Sequence, residues 1–204
     1  MIIVLEGVNK SVDIQVEILK EILFKNEKLV ETLEVLEEYS KENPKFKDYY
    51  IGAGGVNQTV FNYYHGFDIN YGIKDFDIVY YDSDESWEAE DIIIKDLAKR
   101  LSHIDASFDI KNQGRVYVWY NEKYGTNREK YTSVEDAISS WGATVTCVGV
   151  RLKDGDLKVY CPYGLNDIFS MTIRPVKKDF TKENFIERAN RWKEKWEKLK
   201  IVNW

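Results

Sequence analysis

Residues 51–82 read IGAGGVNQTVFNYYHGFDINYGIKDFDIVYYD, and this stretch decides the fold. Gly54 and Gly55 open a run in which Val56, Val60, Phe61 and Tyr64 recur at helical spacing. About twenty residues further on, Asp75 and Asp77 head a run of β-formers, residues 75–81, that is apolar on both faces beyond the acids. A third acid, Asp109, heads another strand-like segment in FDIKNQGRVYVWY.

Working outward, residues 49–53 read as a short strand before the glycine turn. Residues 107–110 and 116–120 read as strand material after a helix striped by Ala89, Ile92, Ile93, Leu97 and Leu101. Strand, helix, strand, helix, strand over residues 49–120 predicts an α/β sheet. Upstream, Ile18, Leu19, Ile22 and Leu23, then Leu29, Leu33 and Leu36, predict two helices broken near Lys25-Asn26 and stopped before Pro44. Downstream, Thr132-Ser133 with Asp136 resembles a capping box for a short helix ending near Trp141. Residues 144–152 and 157–161 flank Asp154-Gly155, a hairpin signal. Residues 164–169 read as a helical turn closed by Arg174-Pro175. A last helix, residues 181–200, carries Phe185, Ala189, Trp192, Trp196 and Leu199 as a packing stripe. The expected organisation is a single domain over residues 1–204: a helical part at 1–48, a catalytic core at 49–120, and C-terminal strands and helix at 121–204.

Composition narrows the class. With 14 Tyr and 6 Trp, the 204 residues hold ample apolar area for a core, and 3 Pro with 12 Gly argue against disorder. A net charge of −6 does not suit a general nucleic-acid binder. Within residues 174–200, however, basic residues outnumber acidic ones two to one. That run reads as a solvated helix face, with the sharper alternative of an edge that attracts a polyanionic acceptor. Two cysteines, Cys147 and Cys161, lie in apolar runs without metal-ligand spacing, and two histidines are too few for a protein-only zinc site. Buried, reduced thiols fit a cytoplasmic location. His65 and His103 read as surface or satisfied histidines. The apolar start, MIIVLEGV, lacks a basic n-region and is too short for a signal peptide or a membrane span.

The chemistry lies in the acids and the glycines together. Residues i and i+2 of a strand share a face, so Asp75 and Asp77 project side by side and repel each other. A divalent cation such as Mg²⁺ or Mn²⁺ lets both stay ionised. Glycines at a strand-to-helix turn let a triphosphate approach backbone N–H groups at a helix N-terminus. Asp109, on a strand expected beside that of Asp75, is a third carboxylate for a two-metal site, as bridging ligand or general base. Asp105 is the rival acid. The stretch is neither a P-loop nor a dinucleotide fingerprint. Taken separately, each motif has a plain reading: a polar strand edge for the acids and a simple turn for the glycines.

In order, Ala53-Gly54-Gly55, Asp75-Phe76-Asp77 and Asp109 resemble the nucleotidyltransferase superfamily with the DNA polymerase β-like palm. More narrowly, the words at 54–62, 71–82, 109–116, 131–138 and 162–169 resemble a bacterial family of single-domain nucleotidyltransferases. The resemblance implies an α/β (α+β) palm-like mixed sheet flanked by helices, with N- and C-terminal helices packed on it. It also implies magnesium and transfer of a nucleoside monophosphate from a nucleoside triphosphate. Asp75, Asp77 and Asp109 map to metal and catalysis, and Gly54 and Gly55 to the phosphate turn. Gln58 and Thr59 near the helix start, and Lys111, Asn112, Gln113 and Arg115 beyond Asp109, are further nucleotide or phosphate candidates. Their plain alternatives are a cap for Gln58 and Thr59, a pair with an acid for Lys111, and a pair with Glu135 or Asp136 for Arg115. The expected acceptor is a hydroxyl, on a small molecule in preference to a protein or an RNA end. A catalytically silent nucleotide-binding or protein-interaction module, and a plain α/β structural protein, are the competing readings.

Overall fold

Alternation along the strand that carries Asp77 separates the two faces of the sheet. In β2 (Phe76–Tyr80), Phe76, Ile78 and Tyr80 point one way and Asp77 and Val79 the other. The computed structural model describes residues 5–124 and 128–204; residues 1–4 of the apolar start lie outside them. Its main sheet has five strands in the order β3-β2-β1-β4-β5. The others are β1 (Tyr49–Gly52), β3 (Phe108–Asn112), β4 (Gly149–Lys153) and β5 (Asp156–Tyr160). β1 runs antiparallel to β2 and β4, and β2 runs parallel to β3. The antiparallel step from β1 to β2 carries α3 (Gly54–His65), and the parallel step needs the crossover helix α4 (Trp87–Arg100).

Phe76, Ile78 and Tyr80 join Tyr49, Ile51 and Val150 in one large core. Against it pack α1 (Val12–Leu23) and α2 (Glu27–Glu42), with the 3₁₀ turn Pro44–Phe46, α3 and α4. The opposite face has two small clusters. Tyr50, Val79, Val134 and Ile138 form one; Val116, Tyr131 and Ala137 form the other. Tyr50 and Val79 come from the sheet, Tyr131 from the loop before α6, Val116 from α5 (Val116–Tyr124), and Val134, Ala137 and Ile138 from α6 (Val134–Ile138). This face is incompletely covered, which leaves room for a cavity. The C-terminal part adds α7 (Asn166–Phe169), β6 (Thr172–Ile173), α8 (Lys182–Lys195) and β7 (Lys200–Ile201), with β6 and β7 paired in parallel. α8 is fixed through Asn62 of α3. Its Oδ1 accepts from Trp196 Nε1 at 2.7 Å, and its Nδ2 donates to Ile69 O and Tyr71 O, both at 2.9 Å.

Most expected boundaries hold. Asn26 caps α2 by accepting from the Leu29 N–H, and α2 stops at Glu42 before Pro44. Asp154 (φ +55°) and Gly155 (φ +78°) make the hairpin turn. Ser133 Oγ caps α6 at the Asp136 N–H. His65 bonds Phe61 O and Lys198 N, and His103 pairs with Glu31.

Three expectations need correction. Residues 116–120 are helical. Asn112 reverses the chain there, its Oδ1 accepting from Asp82 N and Gly114 N and its Nδ2 donating to Asp82 O and Asp84 O. Once strand pairing is cut off, burial of Val116 against Tyr131 and Ala137 overrides β-propensity. Residues 144–148 are not strand: Thr146 N and Cys147 N both donate to Ala143 O, which coils this β-branched run into a buried turn. The last helix ends at Lys195, and residues 200–201 pair as β7. The two cysteines are unpaired; Cys147 is buried and Cys161 half-buried. Among the described residues, no helix is long and apolar enough to cross a membrane.

Replacing Asn62 by Leu removes the acceptor for the Trp196 indole and the donors for two carbonyls. The expected loss is about 3 kcal/mol of stability, since buried groups left unsatisfied cost ~1–3 kcal/mol each. Urea denaturation with unchanged m-value checks it; a loss below ~0.5 kcal/mol would show that this tie does not hold α8.

Candidate active site

The ladder brings the acids together. Asp77 of β2 stands opposite Gly52 on one side and Asp109 of β3 on the other. Asp75 lies immediately before β2, two residues from Asp77. The turn from β1 to α3 is strained at Ala53 (φ +46°, ψ −122°), a conformation unusual for a residue with a Cβ. The turn brings the Gly54 N–H onto the Asp77 carboxylate. A helix N-terminus with its unpaired amides therefore faces the acids.

These groups line a cavity of about 430 Å³. One part is charged: Asp75, Asp77, Asp109, Lys111, Arg188 and Arg191. Another is aromatic, with Trp119, Tyr120, Trp141, Phe180 and Trp192. A larger cleft of about 550 Å³ lies on the other side of Lys74 and Asp75, which it shares with the cavity. That cleft contains neither Asp77 nor Asp109, so the smaller cavity is the one matched to the chemistry.

Charge crowding is greatest at Asp77. Burial, then the Asp75 and Asp109 carboxylates, push its pKa from the ordinary carboxylate range up to about 7; the Gly54 N–H and Arg188 oppose the rise. Arg188, half-buried on α8, is held below its ordinary pKa by burial and by Arg191, with Asp77 pulling the other way. Its guanidinium lies 4.6 Å from the Phe180 ring centroid. Lys111 Nζ donates to Asp109 Oδ1 at 2.6 Å, and Lys74 Nζ is 3.9 Å from Asp75 Oδ2.

As these side chains lie, no three His, Cys, Asp or Glu groups among the described residues close on one metal position. The donor set nonetheless fits a hard cation. Three carboxylates face one cavity, and the most buried, Asp77, is crowded by like charge that a divalent cation would relieve. Lys111 holds one oxygen of Asp109, so a cation joining there would share that carboxylate or displace the ammonium.

Seven of the residues singled out from the sequence line the cavity: Gly54, Gln58, Asp75, Asp77, Asp109, Lys111 and Gln113. Four do not. Gly55 faces the core, where an added Cβ would meet Phe76 Cδ1 at 2.9 Å and Ile51 Cγ2 at 3.3 Å. Thr59 is fully buried, its Oγ1 donating to Gly55 O at 2.8 Å and accepting from Asn26 Nδ2 at 3.2 Å. Asn112 is spent on the turn described above. Arg115 pairs with the buried Glu90 and donates from Nε to Glu85 O at 3.1 Å, so its partner is neither Glu135 nor Asp136. The rival acid Asp105 is exposed and pairs with Lys28 at 2.9 Å. Of Thr132 and Ser133, both serve the start of α6.

Sequence reasoning missed Arg188 and Arg191. Arg188 stands three residues after Phe185 and four before Trp192, within the apolar stripe of α8. An arginine on that face was the available signal. Trp192, read as core alone, also borders the cavity.

Two predictions follow from this geometry. Asp77 has a raised folded pKa, so the stability tied to its protonation is lost as pH rises from about 4 to about 7, is fully lost above that and is intact below about pH 4. Asp77→Asn should therefore exceed wild type in stability at pH 8 without metal, by at most ~4 kcal/mol, and converge with it near pH 4. Urea melts at both pH values check this; a variant less stable at pH 8 would refute the crowding. The glycines should also separate. Gly55→Ala should destabilise by ~1–3 kcal/mol through overpacking against Phe76. Gly54→Ala meets only the flexible Gln58 amide, at 2.9 Å, and should stay within ~1 kcal/mol of wild type. Equal losses in thermal melts would refute the division.

Comparison with known proteins points the same way as the geometry. A solved structure, described as an NMR structure revealing a CCA-adding enzyme head domain, is 26% identical to this chain. The match covers 83% of this chain and 95% of that one, with a TM-score of 0.59. No curated protein matches. A family model described as nucleotidyltransferase matches residues 41–201, most of the chain. The chain belongs to the nucleotidyltransferase family.

Proposed function

We propose that the protein transfers a nucleoside monophosphate from a nucleoside triphosphate to a hydroxyl acceptor, the acceptor oxygen attacking the α-phosphorus as the bond to pyrophosphate breaks and pyrophosphate leaves, with divalent cations held by Asp75, Asp77 and Asp109. The observation that carries this reading is the meeting of three carboxylates with the Gly54 end of α3 in one cavity. When bound, such cations would offset the charge of the triphosphate and lower the pKa of the acceptor hydroxyl.

The chain's own residues supply the rest. The Gly54 N–H favours the ionised form of Asp77. Asp109, paired with Asp77 on the adjacent strand, would act as ligand or as base for the acceptor proton. Arg188, Arg191 and Lys111 offer cationic partners to the polyphosphate, with Gln58 and Gln113 as further polar contacts. The aromatic part, Trp119 above all, gives a base a surface for stacking and keeps water from the reacting atoms, while Phe180 and Tyr120 carry the Arg188 and Arg128 guanidinia. Positioning and electrostatics thus account for most of the rate.

The net charge of −6 favours a small-molecule acceptor. The structural neighbour's description, a CCA-adding enzyme head domain, makes an RNA end the second acceptor class.

The test incubates the protein with α-labelled nucleoside triphosphates, Mg²⁺ or Mn²⁺, and separate metabolite and RNA pools. Label should pass to an acceptor, stop on chelation, and fall at least ~100-fold in Asp77→Asn. Metal-dependent triphosphate binding without transfer to either pool would instead mark a silent nucleotide-binding module.

A further inference from the structure

Each cavity acid has a cation beside it. Lys111 bonds Asp109 at 2.6 Å, Lys74 stands 3.9 Å from Asp75, and Arg188 faces Asp77 without a carboxylate in direct contact. The three contacts differ in kind. The Lys74 side chain is 91% exposed and its contact is long, so solvent screens it. Arg188 rests on Phe180 rather than on its acid. Of the three, Lys111 alone holds an oxygen of a proposed metal-binding carboxylate at hydrogen-bond distance.

Lys111 and Asp109 lie two apart on β3, with Val79 and Asp77 opposite them on β2. Both side chains therefore project from the same face, at the cavity wall. The pair is about 40% exposed on each side, loose enough to open without leaving a buried charge stranded.

Resting on the nucleotidyl-transfer reading above, we infer that Lys111 is an exchangeable counterion. It holds Asp109 while the site lacks metal, gives that carboxylate up to a divalent cation, and turns its ammonium to the polyphosphate. One side chain would then compete with metal and assist nucleotide. With both ligands bound, few charges are left unpaired: Asp109 has the cation and the ammonium has the polyphosphate. It also lets metal and polyphosphate favour each other's binding, because each takes one partner of the Lys111–Asp109 pair.

The test is two titrations on the full chain. Mn²⁺ alone is titrated by electron paramagnetic resonance, and tripolyphosphate, a probe without a base, is titrated calorimetrically in saturating Mn²⁺. In Lys111→Met, Mn²⁺ should bind about 3- to 10-fold more tightly, and tripolyphosphate about 10-fold more weakly. Lys111→Arg should keep tripolyphosphate affinity within about 3-fold. Lys74→Met removes the same charge from a screened position and should move both constants less than 2-fold.

A Lys111→Met variant that binds Mn²⁺ no better than wild type would overturn the exchange, since the pair would then be structural. So would equal effects in Lys74→Met, which would reduce the result to net charge. Wild type that binds no Mn²⁺ at all would overturn the parent reading as well. Wild type that binds Mn²⁺, loses it in Asp77→Asn and fails only the Lys111 comparison would overturn this inference alone. Thermal melts of each metal-free variant confirm folding.

Discussion

The constraint on which the site depends is the crowding of negative charge on one face of two parallel strands. The register places Asp77 directly beside Asp109, and the chain before β2 adds Asp75. Asp77 is the deepest of them, and burial dominates the rise in its pKa. A folded protein tolerates such a cluster only if cations and dipoles are brought to it. The neighbouring elements contribute to that. The strained turn at Ala53 sets the amide end of α3 against Asp77, β3 supplies Lys111, and α8 supplies Arg188. The cavity is built from parts far apart in sequence and close in charge.

Much of this was legible beforehand because it is local. The apolar period of α3, the β-formers of β2, the Asn26 cap and the Asp154-Gly155 turn all carry short-range signals that the structure repeats. The acids were legible for the same reason, since alternation on a strand fixes their common face. The segment 116–120 was not. Val-Tyr-Val-Trp-Tyr has strand composition, and only Asn112, reaching back to residues 82 and 84, shows that the strand has already ended. The reach of a side chain across about thirty residues leaves no periodic trace. The run at 144–148 failed similarly, its β-branched residues buried in a turn closed by Ala143 O.

The division between the two glycines was also illegible. Both stand at the same strand-to-helix turn, and a sequence reading gives both to phosphate. Packing separates them: Gly55 is bare because Phe76 and Ile51 lie against it, whereas Gly54 is bare on the cavity side. Thr59 and Arg115 follow the same pattern. Each has the chemistry of a phosphate contact, and each is committed to the scaffold, Thr59 to Asn26 and Gly55, Arg115 to Glu90. Residue type alone cannot tell a group that holds the site in place from one that faces its ligand.

The asymmetry of the sheet explains why the site lies where it does. One face carries the large core, from Leu19 through Tyr49 and Ile78 to Leu97, and holds the strands in fixed register. The other, among the described residues, has the small clusters around Tyr50 and Val79 and around Val116 and Tyr131. Neighbouring strands lie ~4.8 Å apart, and residues i and i+2 of one strand are separated by about 6.7 Å. The spacing of Asp77 from Asp109, and largely that of Asp75 from Asp77, is thus set by backbone hydrogen bonds on the rigid side, not by rotamers on the open side. A loop could gather the same three acids, but their mutual repulsion would push it apart. On the sheet that repulsion works against the whole core, so the charges stay together until a ligand of opposite charge arrives.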